Sequence, residues 1–107
     1  MLADLSLITT IEARSLEIEE VIAQVFQEID VLDPRRRYLC VEWLIAHCKL
    51  THGENLHYGL AAWLSNLPQD EVVHQRRLIL MEIDWWTAQT DGTVERLMRE
   101  HFAGRRL

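Results

Sequence analysis

The sequence predicts an all-α protein, a single-domain bundle of about five antiparallel helices with short connections, and three observations predict it. Apolar residues recur at spacings of three and four along the whole chain, with no sustained two-residue alternation of the kind a strand needs. Turn-forming residues punctuate the chain at Asp33-Pro34, Thr51-His52-Gly53, Asn66-Leu67-Pro68 and Thr90-Asp91-Gly92, which leaves five segments between them. The 107 residues, 49% hydrophobic and 26% charged, suffice to bury a core as one domain over 1–107 without metal or disulfide staples.

Thr9 followed by Glu12 makes a capping box, so the first helix is expected over about residues 9–31. Ile11, Ile18, Ile22, Val25, Ile29 and Leu32 form its apolar stripe. Asp33 is a natural N-cap and Pro34 a natural first helical residue, which starts a second helix over about 34–51. A thin polar stripe of Arg35, Glu42 and Lys49, seven residues apart, runs along it beside Leu39, Cys40, Val41, Trp43, Leu44, Ile45, Ala46 and Cys48, so this helix is expected at the centre, packed on several sides. Gly53 is expected to close it in the left-handed conformation. A third helix follows through Leu56, Leu60, Ala61, Trp63 and Leu64.

The fourth helix, about 68–90, carries apolar residues on more than one face and should therefore touch two surfaces. Thr90-Asp91-Gly92 is expected to stop it, before a short fifth helix with Val94, Leu97, Met98 and Phe102. Short connections imply that successive helices are neighbours. The layout resembles the helical hairpins of tetratricopeptide and other α-solenoid repeats, with small and aromatic residues at Ala46, Gly53, Trp63 and Pro68. The spacings depart from that repeat, so the resemblance stops at the hairpin layout and assigns no family.

Charge and composition narrow the function classes. A net charge of −6 repels phosphate backbones, so no nucleic-acid partner is expected. The nearly apolar run from Tyr38 to Cys48 spans about eleven residues where a membrane span needs roughly twenty, so no membrane partner is expected. The first thirty residues hold one arginine, Arg14, among seven acids, unlike a secretory or transit peptide, and the expected location is cytoplasmic. Cys40 and Cys48 would lie about 12 Å apart on one helix, too far to pair, which suits a reducing compartment.

Two kinds of site compete. His47, Cys48, His52 and His57 crowd into a short stretch, and Cys48 and His52 are four apart, as a metal-binding helix would place them. Glu54-x-x-His57 and Glu71-x-x-His74 repeat an element that di-iron bundles use, but both open their own helices and would lie roughly 20 Å apart. His47 with Lys49 resembles the phosphoryl-accepting site of a histidine-phosphotransfer domain, with Leu50 where such a site has glycine. Each of these residues also has a plain structural role, as core filler or helix-end charge. No metal, cofactor or catalytic residue is therefore expected, and with no nucleophile triad, phosphate loop or paired cysteine motif the chain is not expected to be an enzyme.

The second kind is a protein interface. Trp85 and Trp86 are adjacent, hence about 100° apart on a helix, and one core is hard put to take both. Leu5 and Ile8 add apolar surface ahead of the first cap, and Arg35, Arg36 and Arg37 occupy a first helical turn, where positive charge opposes the dipole. Tryptophan and arginine dominate binding hot spots. The expected function is accordingly a protein–protein interaction module, an adaptor, assembly factor or regulatory subunit acting as a homodimer, with Leu5, Ile8, Arg35, Arg36, Arg37, Trp85 and Trp86 at the partner surface. The alternative is a metal-binding or histidine-phosphotransfer bundle centred on His47 to His57.

Overall fold

In the computed structural model the backbone is described for residues 2–105 and the side chains for residues 13–104. Among the described residues five helices follow one another: α1 (Leu2–Val31), α2 (Pro34–His47), α3 (Leu56–Ser65), α4 (Gln69–Ala88) and α5 (Asp91–Arg105). No strand occurs among the described residues. Side chains from all five helices meet in one buried hydrophobic cluster, as an all-α bundle requires.

The expected stripe of α1 is its core face: Ile18, Ile22, Val25 and Ile29 are buried together with Val21, and Leu32 follows just past the helix end. The side chain of Ile11 lies outside the described residues. The start at Thr9 is a correction, because the helix already runs from Leu2 and Thr9 sits within it. A capping box terminates a helix only where the chain leaves it, and the leucines at 2, 5 and 7 keep favouring helix beyond that point.

Asp33 is the N-cap of α2 by its backbone and Pro34 its first residue, but the Asp33 carboxylate caps no backbone N–H and instead accepts from Arg36 at 2.7 Å. The helix ends earlier than expected, at His47. Lys49 takes the left-handed conformation, φ 56°, while the N–H of Leu50 reaches Ile45 O at 2.8 Å and that of Lys49 reaches Ala46 O at 3.3 Å. These two bonds make a Schellman stop with lysine in the usual glycine position. The reason lies in Leu50, which turns back over Gly59 of α3 so closely that a Cβ there would stand 3.4 Å from it. Gly53, φ 84°, serves a later turn of the loop.

Asn55 caps α3, its side chain accepting from the N–H of Tyr58 at 2.9 Å. Between α4 and α5 the expected stop is in fact a start. Thr90 Oγ1 accepts from the N–H of Thr93 at 3.2 Å, so Asp91 and Gly92 form the first turn of α5.

Packing follows helix faces more than chain order. α1 lies against α3 and α4, α2 lies against α4 and α5, and α1 also touches α2. Most of these pairs skip the next helix in sequence, a correction to the expected neighbour order. Connection length fixes which helix ends are close, whereas the buried face of α4, Val72, Ile79, Ile83 and Trp86, looks towards α1 and α2. The molecule measures 60 × 28 × 19 Å with a radius of gyration of 16.7 Å, against about 13 Å for a compact domain of this length. A thickness of 19 Å is about two helix diameters. α2 is packed on several sides, against α1, α4 and α5, as expected, but it is not enclosed: Ala46 is exposed, and Val41, Trp43 and Ile45 are half-buried. α4, likewise, keeps one whole face outside.

Candidate functional site

The outward face of α4 is built by spacing. Val72, Ile79, Ile83 and Trp86 fall on one side of the helix and are buried. Val73, Arg77, Met81 and Trp85, at four-residue intervals, fall on the other and run about 18 Å along the surface. Their apolar members are 50% (Val73), 58% (Met81) and 45% (Trp85) exposed. The sequence predicts that α4 touches two surfaces; its inward side lies against α1 and α2, and this second face stays open. The adjacent tryptophans divide accordingly: Trp86 is 7% exposed and belongs to the core, which corrects its place at a partner surface, and Trp85 remains outside. Their rings meet edge to face, centroids 4.8 Å apart at 89°, so the buried ring braces the exposed one.

Two shallow grooves flank this stripe and share Met81. On the α2 side Trp43, His47, Leu78, Met81, Glu82 and Trp85 line an open groove of about 480 Å³. On the other edge Val73, Arg76, Arg77, Leu80, Met81 and Asp84 line one of about 320 Å³. His47 forms part of the wall. Its ring stacks on Trp43 at 4.7 Å and 11°, and its Nε2 lies 2.7 Å from Gln75 Oε1. Gln75 uses its own amide N–H₂ on Glu71 at 2.9 Å, which leaves the Oε1 as an acceptor. His47 therefore carries its proton on Nε2 and donates it, and this nitrogen is taken up by packing between α2 and α4.

The arginine triplet is mostly internal. Arg36, 14% exposed, donates to the carbonyls of Trp86 (3.0 Å) and Gln89 at the end of α4, while also bridging Asp33 and Asp91 at 2.7 and 3.1 Å. Arg37 donates to the carbonyls of Asp30 (3.1 Å) and Leu32 (2.9 Å) at the end of α1. Arg14 does the same for α3, at Ser65 O and Leu67 O. Cations from other segments thereby donate to carbonyls at three helix C-termini, of which Trp86 O also accepts the backbone N–H of Gln89 at 3.3 Å. This corrects the expected placing of Arg36 and Arg37 at a partner surface and explains how α2 tolerates them in its first turn. Arg35 alone of the triplet is exposed. The hydrogen bond from Arg36 holds the Asp33 carboxyl below the usual carboxylate range, and Asp33, followed by Asp91, raises the guanidinium of Arg36.

The histidine stretch is dispersed. His52 reaches Glu42 at 2.9 Å, whereas His57 stacks on Phe26 at 5.6 Å and lies 3.7 Å from Glu19. Among the described residues no three His, Cys, Asp or Glu side chains converge as metal ligands. Cys40 and Cys48 are both unpaired and buried. Burial pushes each thiol up to about 12, helped at Cys40 by the nearby charge of Glu82. Such thiols are poor nucleophiles and poor ligands at neutral pH.

The side chains of Leu5 and Ile8 lie outside the described residues. Met81 and Val73, by contrast, are exposed residues that the sequence marks only as part of the apolar content of the fourth helix, not as a site. Their signal was the four-residue spacing to Trp85, visible once the stripe Val72, Ile79, Ile83, Trp86 is set apart. Among the described residues no helix is long and apolar enough to cross a membrane. Compared with protein-family profiles, curated proteins and solved structures, the chain matches none.

Proposed function

We propose that this chain is a protein–protein interaction module, an adaptor, assembly factor or regulatory subunit of the cytoplasm, that docks a partner on the outward face of α4. The observation that carries the reading is Trp85, exposed beside Met81 on a rigid helix and braced from beneath by Trp86. A fixed aromatic anchor loses little side-chain freedom on binding, and an indole beside a methionine on an open groove is the composition of an interface core. Arg77 and Asp84 stand along the stripe as a polar rim. The mode is helix-face docking, in which residues at four-residue intervals act together. No step of chemistry is assigned to the chain.

Photo-crosslinking tests this. A photoreactive residue replacing Met81 should form protein adducts in cells, whereas one replacing Tyr58, which is also exposed but lies on α3, should not. Equal adduct formation at the two positions, or none at 81, contradicts the reading.

A further inference from the structure

We infer that the occupant of the outward face of α4 is α4 of a second copy of this chain, packed antiparallel about a twofold axis passing between Leu80 and Met81. This rests on the interaction reading above and names its partner. The first ground is charge. Arg77 and Asp84 lie seven residues apart, two helical turns, on the edge of the stripe away from α2, and both are exposed. Neither has a hydrogen bond or ion pair among the described residues, in contrast to Arg76, which donates to Gln24 at 3.0 Å. A cation and an anion equally far from a midpoint are self-complementary when the helix is reversed. Arg77 of each copy then faces Asp84 of the other, and the pair forms twice.

The same register satisfies the apolar edge. With the midpoint between 80 and 81, Trp85 falls opposite the level of residue 76. On that edge the space lies between His74 and Leu78 of the second copy, a gap of one helical turn that an indole fills. Leu80 and Met81 meet at the centre. Both flanking grooves are used, the one lined by Leu78, Met81 and Trp85 and the one lined by Val73, Arg77, Leu80 and Asp84. A twofold contact between identical faces closes on itself and buries the stripe without leaving a second one free. Shifting the register by one residue would separate the charged pairs and rotate Trp85 out of its gap.

Sedimentation of the full chain over a range of concentrations tests this, using charge reversals at exposed positions. The wild-type chain should associate to a dimer. Arg77→Asp or Asp84→Arg alone sets like charges face to face, and each should raise the dimer dissociation constant roughly tenfold or more. An equimolar mixture of the two single variants should dimerise again, as should the double variant R77D/D84R, because both restore opposite charges across the axis. Unchanged circular dichroism establishes that each variant is folded. A wild-type chain that stays monomeric, or a dimer indifferent to the reversals or not restored by mixing, overturns the inference. Crosslinks from position 81 to another protein, with a monomeric wild-type chain, would remove the second copy while leaving the interaction reading intact. Absence of both would remove the two together.

Discussion

Trp85 and Trp86 are consecutive residues of one helix with opposite fates. Trp86 is wrapped by the core, its indole N–H without an acceptor among the described residues, and its own carbonyl is held by Arg36. Trp85 lies 4.8 Å away and faces solvent with Met81 and Val73. The difference teaches that α4 has two faces separated by angle alone: its inward face lies against α1 and α2, and its outward stripe, among the described residues, stays largely exposed. The arginines show the same division. Arg36 and Arg37 close helix ends, whereas Arg77 closes none among the described residues.

The largest effect expected from this comparison is on the inward face. Trp86→Ala should lower unfolding stability by about 3–5 kcal/mol in denaturant titrations, the usual result of emptying a buried aromatic site. Trp86→Phe should cost much less, because it also removes a buried N–H that has no acceptor. The inward face can be probed chemically as well. Cys40 and Cys48, with thiols raised to about 12, should resist aromatic disulfide reagents at pH 8 until the chain is unfolded. Rapid labelling of the native chain would place them outside the core.

Next in size is the clamp at the end of α4. Arg36→Met should lower the denaturation midpoint, less than Trp86→Ala does, because the carbonyl of Gln89 loses its guanidinium donor and that of Trp86 keeps only the N–H of Gln89 at 3.3 Å. Arg35→Met, at an exposed neighbour, should leave the midpoint unchanged. Midpoints left equally unchanged by the two substitutions would contradict a clamping role for the guanidinium of Arg36.

Trp85→Ala sharpens the contrast from the other side. Its stability cost should be about 1 kcal/mol or less, the edge-to-face contact with Trp86 being the main loss, while docking on α4 should fail. The smallest effect concerns acid. Asp33 has a carboxyl held below its ordinary value of 3.8 by Arg36, so its stabilising contribution is present above that value and disappears as pH falls through the lowered one. Wild type should therefore lose stability faster than Asp33→Asn in that acidic window, with a difference that shrinks in high salt.

Much of the fold was legible because it depends on period. The stripe Ile18, Ile22, Val25, Ile29 and Leu32 and the cap at Asp33-Pro34 both follow from local rules. The helix ends were less legible. Lys49 takes a left-handed conformation because Leu50 must cover Gly59, a contact nine residues away in sequence that no local rule contains. Thr90 looks alike as a stop for one helix or the cap of the next, and only the bond from Thr93 decides. In the candidate site Trp85 was legible but its separation from Trp86 was not, since that depends on where α1 and α2 lie against α4. The arginine triplet read as free charge for a similar reason. Its acceptors are backbone carbonyls, which residue identity does not show.

The most direct test of the central claim, that the outward face of α4 is covered when the protein works, is hydroxyl-radical footprinting of the chain in dilute solution and inside cells that make it. Met81 and Trp85 should be oxidised readily in dilute solution and protected in cells, while Tyr58 on α3 is modified equally in both. Equal modification of Met81 and Trp85 in the two settings would contradict the account.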